Sequence, residues 1–293
     1  MKKKIIIGVF LLNIMFVPCL TANTHTASSC SYGDVKAAVR SASDGDTVMV
    51  PPCGKTSWTT KLTINKAITL QGAGIDQTNI NQSIVDSPAI SVSLVANKTT
   101  TVAGFTFTSD SGVDPHMSHG VIEIYGDSEH WGRFRIHHNK FNAPDIRTMI
   151  AHNAYGVYDH NTVIIKFGRQ AMEVNMYSYD GGMYGDGSWK VPYTWGSADA
   201  VFIEDNNFSC SGTCDASALS SLDAVGGARV VFRYNTVDES YITNHGADTG
   251  GRSRSAMAYE IYNNTFHTIH WRDTGVYLRG GTALIYNLSL IHI

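Results

Sequence analysis

Five stretches decide the fold: FRIHHNKF at 134–141, VYDHNTV at 157–163, FIEDNNF at 202–208, VFRYNTV at 231–237 and EIYNNTF at 260–266. They fall into one frame when aligned on Asn139, Asn161, Asn206, Asn235 and Asn264, which are 22, 45, 29 and 29 residues apart. One strand-like unit recurring at such a period marks a solenoid, in which each unit buries its apolar face only by stacking on its neighbours. Three residues before each asparagine stand Ile136, Tyr158, Ile203, Phe232 and Ile261, and two after it Phe141, Val163, Phe208, Val237 and Phe266. These columns are expected to point inward. Two residues before the asparagine stand His137, Asp159, Glu204, Arg233 and Tyr262, which strand alternation turns outward. The asparagine lies between inward columns, where the chain must turn, and both its tolerance of left-handed backbone and its amide suit a stacked bend. A sandwich with chance asparagine turns would not require one residue type at five equivalent places.

Upstream of the repeat, DVKAAVRSA (34–42) places Val35, Ala38, Val39 and Ala42 on one helical face, with Asp34 as the expected N-cap. SDGDTVMVPP and KLTINKAITLQGAG then read as turns and strands, and strands dominate from there. The 45-residue interval allows either two coils or one coil with an insertion. It holds MYSYDGGMYGDGSWKVPYTWG (176–196), whose glycines and aromatics suit an ordered loop projecting from the stack.

The first residues, MKKKIIIGVFLLNIMFVPCLTA, give three lysines, an apolar stretch and small residues, the pattern of a secretory signal peptide cut after Ala22. Removing 1–22 takes away three positive charges and no acid, so the net charge moves from −3 to −6. An acidic exported chain is a poor nucleic-acid binder, and nothing after cleavage suits a membrane. No linker interrupts the remainder, so 23–287 reads as one domain. In an oxidising compartment Cys30 pairs with Cys53 and Cys210 with Cys214. At the other end GTALIYN (281–287) keeps the register of Glu260 to Asn263, but the next residue is Leu288 where the repeat asks for asparagine. LSLIHI, 288–293, looks like a translated library adapter, so it is expected to be a non-native tail on a domain incomplete at its C-terminus.

The chain resembles the right-handed parallel β-helix proteins of the pectate-lyase-like superfamily over nearly all of 31–287. DVKAAVRSASDGDTVMVPPCGKTSW with KLTINKAITLQGAG looks like their capping helix and first coil, and the NTV and NNTF coils like their asparagine-bearing turns. The implied fold is all-β, a right-handed parallel β-helix with a short N-terminal capping helix. The implied functions range over polysaccharide lyases, hydrolases, esterase- and isomerase-type enzymes and non-catalytic adhesins. The W-I-D-H and R-x-P-x-x-R patterns of the best-known pectate lyases are absent.

Elimination across a uronic acid needs a cation to neutralise the carboxylate, a base for the C5 proton and an acid for the leaving oxygen. Hydrolysis needs two carboxylates. The outward column offers Asp159, Glu204 and Arg233, with His137 beside them. The loop TNHGADTGGRSRSAMAYE offers His245 as base, Arg252 and Arg254 as carboxylate clamps, and Asp248. Arg229, Arg233, Arg252, Arg254, Arg272 and Arg279 make the last third locally basic, which suits an anionic polysaccharide. Tyr184, Trp189, Tyr193 and Trp195 are the expected sugar platform. Alternatively the outward column is an ion-pair ladder and the aromatics are packing. Asp180 and Asp186 beside glycines are candidate Ca²⁺ ligands, but their spacing matches no known loop and solvated turn acids are the stronger reading, so the cofactor stays unknown. The expectation is a monomeric secreted, periplasmic or cell-surface protein. Its leading activity is a lyase acting on an acidic glycan, followed by a non-catalytic adhesion module and then a glycoside hydrolase.

Overall fold

A computed structural model describes residues 21–126, 132–143, 146–165, 170–210, 220–249, 251–268 and 275–292. Among these residues every paired strand runs parallel to its neighbours, in three sheets of ten, nine and eight strands. Each interior coil contributes one strand to each sheet. In one coil Gly120–Tyr125 belongs to the eight-stranded sheet C, Arg133–His137 to the ten-stranded sheet A and Lys140–Asn142 to the nine-stranded sheet B. The chain is a parallel β-helix.

The register is the one that the asparagine alignment dictates. Val102, Ile136, Tyr158, Ile203, Phe232, Ile261 and Ile285 are successive partners in sheet A. Phe107, Phe141, Val163, Phe208, Val237, Phe266 and Leu290 are successive partners in sheet B. The inward members from 102 to 266 are at most 1 % exposed. Burying each such side chain contributes about 1.5–3 kcal/mol.

Sheets A and B meet at a two-residue bend, and the asparagine is its second residue. The left-handed position is the first residue, not the asparagine: His138, His160, Asp205, Tyr234 and Asn263 have φ between 52° and 58°. That residue absorbs the reversal, which frees the asparagine to turn its amide into the stack. Asn139 Nδ2 donates to Asn161 Oδ1 at 3.2 Å, Asn161 to Asn206 at 3.1 Å, Asn206 to Asn235 at 3.0 Å and Asn235 to Asn264 at 3.1 Å. Each oxygen also accepts the backbone N–H of the preceding rung's asparagine, and Asn139 accepts that of Phe105. The amides further donate to carbonyls at the ends of the strands, as Asn206 does to Tyr158 and Glu204. Leu288 stands in the next rung and packs against the core, so the ladder ends at Asn264. Ser289–His292, in the segment expected to be a tail, pairs in register with Thr265–Thr268.

Helix α1, Tyr32–Ser41, buries Val35, Ala38 and Val39 against the first coil. Its N-cap is Ser31, whose hydroxyl accepts from the Asp34 N–H; Asp34 lies inside the first turn, where its carboxylate also accepts from Ser29. A serine three residues upstream provides the cap that Asp34 was expected to form. The Cys30–Cys53 disulfide joins the helix entry to the first coil, and Trp58 Nε1 donates to the Cys30 carbonyl. Cys210 is also disulfide-bonded; its expected partner, Cys214, lies outside the described residues.

The long interval is one coil with an insertion, because Tyr155–Asp159 pairs directly with Val201–Glu204. Residues 176–200 include a 3₁₀ turn, Tyr179–Gly181, and helix α2, Asp186–Lys190. Instead of projecting, the segment lies along the coils. Asp199 pairs with Arg133 at 3.0 Å, and the Tyr193 hydroxyl donates to Glu260 at 2.6 Å. Trp189 Nε1 donates to the Ser255 carbonyl, and Arg229 Nη2 donates to the carbonyls of Ser188 and Val191 at 2.9 and 2.8 Å. Arg229 is 2 % exposed, between the rings of Tyr179 and Tyr193.

Asn206→Leu strips partners from several buried backbone groups, each worth about 1–3 kcal/mol, so an overall loss of about 3 kcal/mol or more is expected. Denaturant midpoints measure it, with the exposed Asn142→Leu expected to stay within about 0.5 kcal/mol of the parent.

Candidate functional site

The outward column of sheet A is where the alignment expects chemistry, and its charges are already matched. Asp159 accepts from Arg135 Nε and Nη2 at 3.0 and 2.8 Å, and its Oδ2 lies 2.8 Å from His160 Nδ1. Burial alone would raise the Asp159 pKa, but the Arg135 and His160 hydrogen bonds outweigh it and hold the carboxyl below its usual range. One coil on, Glu204 takes Arg233 Nε at 2.6 Å and Nη2 at 2.5 Å, while Arg233 Nη1 donates to the Tyr262 hydroxyl. His137 lies 2.8 Å from His138, ring nitrogen to ring nitrogen; burial and then Arg135 lower its pKa. The column sets Asp159 and Glu204 side by side as register partners at the inter-strand spacing of about 4.8 Å, and Arg135 and Arg233 neutralise them, with little left over for a substrate.

The arginine-rich loop and the aromatic insertion meet at one corner, where sheet C passes into sheet A. Arg254 pairs with Asp186 and lies 5.5 Å over the Trp189 ring, and its backbone N–H donates to the Tyr184 carbonyl. Arg252 lies 5.1 Å over Tyr184, and Asp248 lies 3.6 Å from Arg279. Tyr193 packs edge-on to Trp195 at 5.2 Å; Tyr184 and Trp195 are exposed. Asp186 is held by Arg254, and no group of three or more His, Cys, Asp or Glu converges as a metal site among the described residues. The basic third is largely spent internally: Arg229 is buried, and Arg233, Arg254 and Arg279 face carboxylates. Arg272 lies outside the described residues.

His245 goes elsewhere, onto the outer face of sheet C, beside residues that the asparagine alignment does not reach. That face stacks Ser91, Glu123, Ile150, Glu173, Asp223 and Thr243 as successive partners. Three carboxylates in one column, two on adjacent coils, interrupt strands that are otherwise apolar. Glu123 lies 2.7 Å from His119 Nδ1 and accepts from the Tyr125 hydroxyl at 2.5 Å. Tyr125 in turn stacks on His152 at 4.7 Å, and burial and then Glu123 raise its pKa. Glu173 accepts from Asn175 at 2.8 Å and stands 3.6 Å from Arg147. Asp223 is 4 % exposed, and its Oδ2 lies 2.6 Å from His245 Nδ1. The His245 side chain is 41 % exposed, so an almost buried carboxylate holds an imidazole at the surface. Burial, then Glu173 and Asp223, push Tyr177 up to about 12, so it remains a phenol at neutral pH.

In sum, the structure brings His245 to this strip, sets Asp248, Arg252, Arg254, Tyr184 and Trp189 at its corner, lays Tyr193 and Trp195 against sheet A, and leaves His137, Asp159, Glu204 and Arg233 on that separate face. Glu123, Glu173, Asp223 and Tyr177 were missed. The signal available for them was a single acid inside an apolar strand, as in GVIEIY, MEVN and SLDAV.

Because the Asp159 carboxyl titrates lower folded than unfolded, its pairing stabilises the protein fully above the unfolded value of about 3.9 and is lost as pH falls through the lowered native value. Asp159→Asn is therefore expected to flatten the acid limb of a stability-against-pH curve from chemical denaturation and to lower stability at neutral pH. Comparison of the chain with models of protein families, with curated proteins and with solved structures gives no match in any of the three.

Proposed function

We propose that the protein is an exported carbohydrate-active enzyme that lays a polysaccharide along the outer face of sheet C and cleaves it by acid–base chemistry at the Asp223–His245 pair. The observation that carries this is the pair itself: a buried carboxylate orienting an exposed imidazole, with Glu173 on the adjacent coil and the protonated Tyr177 close enough to feel both carboxylates. In a β-elimination on a uronate-containing chain, His245 takes the C5 proton and Tyr177 supplies one to the leaving oxygen. Arg252, exposed on the corner loop, neutralises the substrate carboxylate. Coils from Glu123 to Thr243 give a strip about 19 Å long at the inter-strand spacing, room for several sugar rings. Tyr184 and Trp189, packed under Arg252 and Arg254 at the corner, flank it as a platform. The resemblance of the capping helix and asparagine coils to the pectate-lyase-like superfamily supports the same class. Export is supported by the signal-like N-terminus and by the Cys30–Cys53 disulfide.

Hydrolysis is a second reading, favoured by one observation. Glu173 and Asp223 are register partners on adjacent coils, so two carboxylates stand together on one face, the pair that hydrolysis needs.

Incubation with pectate, alginate and glycosaminoglycans separates the outcomes. Unsaturated, ultraviolet-absorbing products indicate elimination, new reducing ends without absorbance indicate hydrolysis, and binding without either indicates an adhesion module. His245→Gln is expected to lower kcat by about 10²–10⁴-fold with KM little changed; unchanged turnover overturns the assignment of the base.

A further inference from the structure

A general base must present a bare ring nitrogen, and an imidazole has two. Which one carries the proton is set by the partner of the other. His245 Nδ1 faces Asp223 Oδ2, and the same oxygen receives a second contact, from Gln170 Nε2 at 2.7 Å. The orientation of the Gln170 amide is fixed in turn. Its Oε1 accepts from Arg147 Nε at 3.2 Å and Nη2 at 2.6 Å, and a guanidinium can only donate. Flipping the amide would set its NH₂ against those donors and its oxygen against a carboxylate, two repulsions in place of three hydrogen bonds. Arg147 therefore fixes Gln170 as the donor toward Asp223. Asp223 is left as an acceptor at Oδ2, and His245 must supply a proton there.

We infer that Gln170, held by Arg147, is a positioning residue that fixes Asp223 Oδ2 against His245, so that the acceptor-only carboxylate holds the ring as the Nδ1–H tautomer and leaves Nε2 bare to accept a proton. The inference deepens the proposed function, and its catalytic consequence rests on that reading; the tautomer itself does not. The relay crosses strands Arg147–His152, Ser220–Val225 and Tyr241–Asn244, joined by the Gln170–Ser220 bridge, so four groups on stacked coils are aligned by the solenoid's repeat. Among the described residues Asp223 Oδ1 has no hydrogen-bond partner, and the orienting contacts fall on Oδ2.

The decisive observation is the nitrogen-15 chemical shift of the His245 ring above its titration, which separates the two tautomers without any substrate. The parent protein is expected to show the Nδ1–H form alone. Asp223→Asn is expected to keep it, because Gln170 holds the new amide oxygen at the Oδ2 position. Gln170→Met alone is expected to keep the Nδ1–H form, because the ionised carboxylate still only accepts, and Asp223→Asn combined with Gln170→Met to admit the Nε2–H form. An Nε2–H tautomer in the parent, or the same tautomer in all four proteins, overturns the inference. Asp223→Asn is isosteric, so it still decides if Gln170→Met misfolds: the Nε2–H form in Asp223→Asn alone overturns the inference. If the protein cleaves a glycan, kcat in Gln170→Met should fall about 10–100-fold with KM nearly constant, the range for losing an outer partner of an oriented imidazole. The expected tautomers without turnover on any polysaccharide would remove the function and leave the relay standing.

Discussion

The asparagine ladder is the constraint on which the structure depends. A parallel stack has a fixed strand spacing, but nothing in an apolar core alone stops one coil sliding along the next, since isoleucine over valine packs about as well one pair along. A buried amide does not slide. Each of Asn139, Asn161, Asn206 and Asn235 donates to the following asparagine and also gives up its backbone N–H to that side chain, so a shift of a single residue leaves several buried polar groups without partners. The left-handed residue before it lets the chain turn tightly enough to place the amide inside.

Fixed register makes every side chain the neighbour of its equivalents, and on both outer faces it stacks two acids. On sheet A, Asp159 and Glu204 are register partners, and arginines answer them, Arg135 for Asp159 and Arg233 for Glu204. On sheet C, Glu173 and Asp223 are register partners, and Asn175 satisfies Glu173 while Gln170 and His245 satisfy Asp223. The acid that meets an imidazole instead of a guanidinium has a partner that can give and take a proton, and such places are where catalysis concentrates.

The sequence made the fold legible because the ladder needs one residue type at one place, and five asparagines announce it. The inward columns follow from strand alternation. The candidate site was less legible for a related reason. Sheet C carries no ladder residue, its strands GVIEIY, RTMIAH and SSLDAV share no common letter, and loops of unequal length separate them from the asparagines. His245 was visible as a residue type, but its partner, 22 positions earlier, becomes adjacent only when the coils close. The insertion misled differently: many glycines suggest a projecting loop, whereas some of them let its backbone press against the coils, as at Gly185, φ 88°, where an added Cβ would meet Gly226 backbone atoms at 2.4 Å.

That insertion also alters how the molecule bears load. A solenoid distributes its energy between nearest neighbours and so can open from either end one turn at a time. Residues 176–200 are tied to Arg133 two turns before Val201–Glu204, and to Arg229 and Glu260 one and two turns after it. Like a splint bound across a fracture, the segment joins five turns into one mechanical unit, and a chain pulled from its ends would give way outside that block before within it.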